Sequence, residues 1–165
     1  MSSPTLPAAA APQRKYQRAV SPRLKKLLYV VFALVAVLTA NSLYLASITA
    51  LGRLRGESYE NLFYMYMFGL HLVLGLMLIV PFLVFGLLHM VAAWNRRNRR
   101  AVKIGYLLFA IGIAVLGSGV LLVRIPGMIE LKHEFSRSAV YWMHVVCPVI
   151  CLWMYWLHRL AGPRI

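Results

Sequence analysis

Hydrophobic residues are concentrated in four long segments that contain no lysine, arginine, aspartate or glutamate. A helix of roughly 20 residues is enough to cross the hydrocarbon core of a bilayer. The pattern therefore predicts an all-α membrane protein, a bundle of four transmembrane helices joined by short loops. The segments are residues 27–51, 62–94, 104–123 and 139–157.

Composition supports this class. Of the 165 residues, 61% are hydrophobic and only 13% are charged, which excludes a water-soluble enzyme. The N-terminal residues are rich in proline and in basic side chains and are expected to be disordered. We therefore divide the chain into a basic tail, residues 1–26, and a membrane domain, residues 27–165. The first apolar segment is too long for a cleavable signal peptide, so we expect it to be retained as a helix.

The distribution of charge predicts an orientation. Of the 18 lysines and arginines, 13 lie in the N-terminal tail, the second loop and the C-terminus, whereas 5 lie on the other side together with all 4 acidic residues. Because cytoplasmic loops carry the excess of positive charge, both termini are predicted to be cytoplasmic. We expect a multi-pass protein of a bacterial inner membrane, in contact with lipid. The basic residues flank apolar segments, which argues against nucleic acid as a partner.

Four of the five histidines lie within, or at the end of, the second and fourth apolar segments. His71 and His89 are 18 residues apart, and His144 and His158 are 14 apart. These intervals place each pair on one face of its helix, to within about 40°. The two helices cross the membrane in the same direction, so His71 is expected at the depth of His144, and His89 at the depth of His158. Ionisable residues at membrane depth usually mark a functional site.

This pattern predicts two b-type haems. Two imidazoles from neighbouring helices can supply both axial ligands of a haem iron. The intervals correspond to rises of roughly 27 Å and 21 Å, so the depths agree only if the second helix is tilted or kinked, and Pro81 lies within its interval. A zinc or copper ion needs ligands clustered at one point, which these spacings do not provide. The chain has no CxxCH sequence for covalent haem attachment.

The paired histidines resemble the four-helix, di-haem cytochrome b core of quinol:cytochrome c oxidoreductases. They are similar in general design to the haem-bearing membrane subunits of formate dehydrogenases and hydrogenases. In the cytochrome b family, glycines on a neighbouring helix make room for the haem faces, and the resemblance assigns this role to Gly105, Gly112 and Gly119, which lie on one stripe of the third segment. The 18-residue interval on the second helix departs from the family's interval of 14.

The resemblance implies an electron-transfer subunit of a respiratory-chain oxidoreductase rather than a stand-alone enzyme. Within a complex with other subunits, it would carry electrons across the membrane between the quinone pool and a periplasmic partner such as a c-type cytochrome. A quinone is a further candidate ligand, and no catalytic residue is assigned. Haem propionates bind cationic side chains near the membrane surfaces. The candidates are Arg53, Arg124 and Arg159.

Two other classes of function remain open at this point. In a haem-free membrane anchor or assembly subunit, the histidines would only pack or form hydrogen bonds between helices. In a small proton-coupled transporter, they would relay protons. An obvious inverted repeat and charged residues at mid-membrane are both missing from the sequence, which disfavours the transporter. His133 is either a solvated loop residue or a contact to a partner or to a nearby haem. Cys147 and Cys151 are expected to pack as small apolar side chains.

Overall fold

The structure, a computed structural model, describes residues 20–123 and 133–161. Four helices account for the secondary structure of these two ranges, and each is long and apolar enough to cross a membrane. This confirms the predicted all-α, four-helix membrane architecture. The helices are α1 (Pro22–Arg55), α2 (Leu62–Ala93), α3 (Arg99–Leu122) and α4 (Glu134–Ala161).

Helix α1 begins before the apolar segment that predicted it. The Ser21 hydroxyl accepts a hydrogen bond from the Leu24 amide at 3.2 Å, and Pro22 occupies the first helical position. Serine is a favoured N-cap, and proline suits the first turn because its missing amide hydrogen would have no helical acceptor there. Residues 22–26 are therefore helical, which corrects their assignment to a disordered tail. Residues 1–19 lie outside the described ranges.

Asparagine side chains begin α2 and α3. The Asn61 Oδ1 atom accepts from the Tyr64 amide at 2.9 Å, and the Asn98 Oδ1 atom accepts from the Ala101 amide at 3.2 Å. Asn98 also donates its Nδ2 hydrogen to the carbonyl of Ala161 at 2.6 Å. One side chain thus caps the start of α3 and holds the end of α4 beside it.

The helices pack as two antiparallel hairpins, α1 with α2 and α3 with α4, which meet where α2 contacts α3. Among the described residues, no Cα atom of α4 lies within 8 Å of one in α1 or α2. Helix α4 therefore reaches α1 and α2 through side chains. One such contact joins the rings of Phe32 and Tyr155, with centroids 5.6 Å apart. The histidine pairs described below make two more.

Two phenylalanines join α2 to α3. The rings of Phe82 and Phe109 are stacked, with centroids 5.5 Å apart and planes 15° from parallel. A Cβ atom at Gly86 would overlap the Phe109 ring, and one at Gly112 would overlap the Phe82 ring. Each phenylalanine therefore lies on a glycine of the opposite helix, and the missing side chains allow the two helices to approach.

The outer surface of the bundle is apolar. Only Leu24, Val31 and Leu78 are buried hydrophobic residues in the described part of the chain, whereas large side chains such as Leu152 and Trp153 are exposed. A water-soluble protein would bury such residues, but lipid tails solvate them as well as a protein core does. The surface is consistent with contact between all four helices and lipid.

Candidate functional site

The histidines of α2 and α4 meet in two pairs. The ring centroids of His71 and His144 lie 6.0 Å apart, and those of His89 and His158 lie 6.2 Å apart. In both pairs the ring planes are close to perpendicular, at 84° and 83°. The earlier histidine of α2 meets the earlier histidine of α4, so the two helices run in the same direction. The difference between the 18-residue and 14-residue intervals therefore does not prevent either pair from forming.

Two glycines of α3 place the histidines of α4. A Cβ atom at Gly119 would lie 3.0 Å from Cε1 of His144, and a Cβ atom at Gly105 would lie 3.0 Å from Cε1 of His158. Both imidazoles therefore lie directly on the backbone of α3. In each ring Nδ1 is closer to the glycine than Nε2 is, so Nε2 is the ring nitrogen farther from α3.

Hydrogen bonds to α3 determine the tautomer of His144. Its Nδ1 atom lies 3.1 Å from the carbonyl oxygen of Val115 and 3.1 Å from the hydroxyl oxygen of Ser118. The Ser118 hydroxyl donates its own hydrogen to Val115 O at 2.8 Å, so its oxygen is an acceptor toward His144. Both neighbours of Nδ1 accept, and Nδ1 therefore carries the hydrogen. The lone pair is on Nε2.

The same tautomer is selected at His71 by α1. Asn41 donates its Nδ2 hydrogen to the carbonyl of Met67 at 3.0 Å, which orients the amide so that Oδ1 lies 3.2 Å from His71 Nδ1. The hydroxyl of Ser42 is also near Nδ1, at 3.4 Å. Because an amide oxygen can only accept, His71 donates from Nδ1 and carries its lone pair on Nε2.

The second pair is held differently. His158 Nδ1 lies 3.2 Å from the carbonyl oxygen of Ala101 in the first turns of α3. His158 therefore also donates from Nδ1 and presents Nε2 as the basic nitrogen. The ring of His89 is stacked on Phe85 one turn earlier in α2, with centroids 5.4 Å apart and planes 10° from parallel.

The spacing of each pair fits two imidazoles on opposite sides of one metal ion. A metal–imidazole bond is about 2 Å long and a ring nitrogen lies about 1 Å from the ring centre, so the centroids of two such ligands are about 6 Å apart. No group of three or more histidine, cysteine, aspartate or glutamate side chains able to hold a metal ion occurs within residues 20–123 and 133–161. Each pair therefore offers two nitrogens, and a metal ion held there would bring its other ligands with it.

The glycines predicted to face a haem have other neighbours. Gly105 and Gly119 make room for the rings of His158 and His144, and Gly112 makes room for Phe82. Contact between these glycines and haem faces stays a prediction, since the rings that lie on their backbones here are side chains of α2 and α4. Gly105 and Gly119 therefore support the histidines, and Gly112 supports the contact between α2 and α3.

The two described arginines among the remaining predicted residues lie near helix ends. Arg53 and Arg159 are exposed, in the last turns of α1 and α4. Arg124 lies outside the described residues. His133 is exposed next to the start of α4, and Cys147 and Cys151 are half-buried along α4.

Sequence reasoning missed the residues that hold the histidines. Asn41 and Ser118 are the buried polar residues of the described chain, and each contacts a histidine of the same pair. Their signal in the sequence was a polar side chain in the middle of an apolar segment, which is costly unless it is hydrogen-bonded. The backbone acceptors Val115 and Ala101 carry no such signal, because a carbonyl is present at every position.

Comparisons with models of known protein families, with curated proteins and with solved structures find no match to this chain. The function is therefore argued from the chain's own residues.

Proposed function

We propose that this protein is a membrane-embedded, di-haem b-type cytochrome subunit that carries electrons from one face of the membrane to the other. One haem would be held between His71 and His144, and the other between His89 and His158. The observation that carries the proposal is the pairing itself, in which four histidines from two helices form two pairs of nearly equal geometry.

The donor set suits haem better than a free metal ion. Each pair supplies two neutral imidazoles and no carboxylate or thiolate, whereas zinc and copper sites in proteins commonly use three or four protein ligands. A haem brings four equatorial nitrogens and needs only two axial ligands. A six-coordinate iron between two histidines needs four more ligands, and a porphyrin supplies four.

The chain's own residues would bind and orient these ligands. His71, His144 and His158 each donate from Nδ1 to a neighbouring helix, which leaves Nε2 as the basic nitrogen and limits rotation of the ring. In a bilayer, the apolar helices would keep water away from the histidine pairs. The haem, when bound, supplies one-electron redox chemistry that no side chain of this protein provides.

The two pairs lie at different depths. Along α4 the 14-residue interval corresponds to a rise of roughly 21 Å, which is most of the thickness of the hydrocarbon core. A route that uses both pairs would therefore span the membrane. The quinone pool and a periplasmic redox protein such as a c-type cytochrome are the proposed partners, within a complex in a bacterial inner membrane. The excess of basic residues favours a cytoplasmic location for both termini and for the loop between α2 and α3.

Electron transfer across a sealed membrane tests the proposal. The purified, haem-loaded protein would be placed in liposomes that contain ferricyanide, with a quinol analogue added outside. We expect ferricyanide reduction that depends on the protein. We also expect a reduced-minus-oxidised spectrum of b type with about two haems per chain, because four histidines provide two axial ligands for each of two haems. A well-folded preparation without a b-type spectrum would refute the proposal and leave the haem-free anchor or the transporter.

A further inference from the structure

The two histidine pairs differ in what holds them. Within the described chain the buried polar residues are Asn41, 6% exposed, and Ser118, 1% exposed. They lie on different helices, α1 and α3, yet both are hydrogen-bonded to the pair His71–His144. His144 Nδ1 also faces the backbone carbonyl of Val115 at 3.1 Å, and His158 Nδ1 faces the backbone carbonyl of Ala101 at 3.2 Å.

Both side chains are locked in the orientation that accepts from histidine. The hydrogens of Asn41 are directed to Met67 O and, at 3.4 Å, to the Met67 sulfur. The hydroxyl hydrogen of Ser118 is directed to Val115 O. Few other hydrogen-bond acceptors are available in an apolar bundle, and a buried polar hydrogen without an acceptor is costly. Each side chain therefore keeps the orientation in which its hydrogens are bonded. That arrangement presents an oxygen lone pair to Nδ1–H of His71 and of His144.

An acceptor on Nδ1–H has a known consequence for the ligand nitrogen. It pulls the Nδ1 hydrogen away from the ring, which raises the electron density at Nε2 and makes it a stronger donor to a metal. A stronger axial donor stabilises the oxidised, more positive metal relative to the reduced one. Hydrogen bonding to the axial ligand is one of the levers by which a protein adjusts a haem's reduction potential.

We propose that Asn41 and Ser118 are positioning residues that act through His71 and His144, and that they lower the reduction potential of the haem bound by that pair. The inference rests on the proposed function, since it concerns the same ligands. It adds that the two haems are adjusted separately: the His71–His144 pair is hydrogen-bonded to two replaceable side chains as well as to the Val115 carbonyl, whereas the ligand His158 is hydrogen-bonded to the Ala101 carbonyl.

The test is a redox titration of the haem-loaded, full-length protein and of two variants. Ser118→Ala removes one oxygen atom at a buried position, and Asn41→Leu removes the amide at nearly constant volume. Ser47→Ala is the matched control, because Ser47 is an exposed serine whose hydroxyl donates to a carbonyl of its own helix, Leu43 O, just as the Ser118 hydroxyl donates to Val115 O. The His71→Ala variant identifies which haem signals belong to the pair.

We expect the midpoint potential of one haem to rise in both variants while the other stays unchanged. The shifted haem is the one missing from His71→Ala. Affinity for that haem is expected to fall by up to about 10–100-fold, the usual effect of losing an outer hydrogen bond to a ligand. Ser47→Ala should leave both potentials and both affinities unchanged.

Two results would overturn the inference while the cytochrome proposal stands. In one, both haems are bound in Ser118→Ala and Asn41→Leu with unchanged potentials. In the other, the haem retained in His71→Ala is the one that shifts. If Asn41→Leu does not fold, Ser118→Ala decides alone, since its volume change is a single oxygen atom. Absence of haem from the wild-type protein would instead refute the proposed function itself.

Discussion

The imidazole of His144 rests on Gly119, so closely that a Cβ atom there would lie 3.0 Å from His144 Cε1. The same relationship recurs between Gly105 and His158, also at 3.0 Å. These glycines are 14 residues apart on α3, as the two histidines are on α4. Antiparallel packing of the two helices therefore brings both contacts into register at once.

A side chain at Gly119 should displace His144. We expect Gly119→Val to lower the affinity for the haem of the His71–His144 pair by at least about 10-fold, in the range found when the support of a metal ligand is lost. The measurement is haem content after dilution or competition with apomyoglobin. Gly117→Val is the control, because nothing lies within 4 Å of a Cβ atom at Gly117. Equal haem retention in the two variants would contradict the role given to Gly119.

The contact between α2 and α3 should depend on Gly86. In Gly86→Ala the new methyl group would overlap the Phe109 ring, so we expect the free energy of unfolding to fall by about 1–3 kcal/mol. Gly75→Ala lies in the same helix with open space around the new methyl group. It should be neutral or stabilising by up to about 1 kcal/mol, because alanine favours helix. Unfolding in mixed micelles with increasing denaturing detergent measures the stability of both variants. Equal stability would show that the Phe109 ring moves aside without an energetic cost.

The ring planes predict a spectroscopic property. With imidazole planes at 84° and 83°, two histidines that ligate one haem iron would interact with different d orbitals, which would become nearly equal in energy. Low-spin ferric haems of this kind have a strongly anisotropic electron paramagnetic resonance signal with a large maximal g value. We expect both haems of this protein to show it. Rhombic spectra typical of parallel imidazoles would show that the rings rotate when haem binds.

The double role of Asn98 should be visible in stability. Asn98→Ala removes the cap of α3 and the bond to Ala161, whereas Asn61→Ala removes only the cap of α2. Loss of a cap costs about 1 kcal/mol, and loss of a further hydrogen bond about 1 kcal/mol more. Asn98→Ala should therefore be the more destabilising of the two by thermal unfolding in detergent. The reverse order would show that the link to α4 contributes nothing.

The sequence was sufficient to predict the helices and the histidine pairs. Four uncharged segments define four helices, because an uncharged stretch of that length is stable in lipid and costly in water. The partners of His71 and His89 followed from helical periodicity and from the direction of the crossings, and both proximities are seen in the structure. Their role as haem ligands stays a prediction.

Helix boundaries and supporting residues could not be read from hydrophobicity. Helix α1 begins at Pro22 because Ser21 caps it. Charge counting assigns residues 22–26 to the tail because they are rich in basic side chains, and that count does not detect a cap. The neighbours of Gly112 and Gly119 depend on how α3 is rotated against α2 and α4. That rotation is set by packing of the whole bundle. The spacing of the glycines alone does not distinguish a haem from a side-chain ring as the group that lies on them.

Haem content of paired histidine variants is the decisive measurement, because each proposed haem would be held by one histidine of α2 and one of α4. The wild-type protein should bind two haems. His71→Ala/His144→Ala should retain one, with the spectrum and midpoint potential of the His89–His158 site, whereas His71→Ala/His158→Ala should retain none. A well-folded His71→Ala/His158→Ala protein that keeps a bis-histidine haem, or a wild-type protein that binds none, would contradict the account.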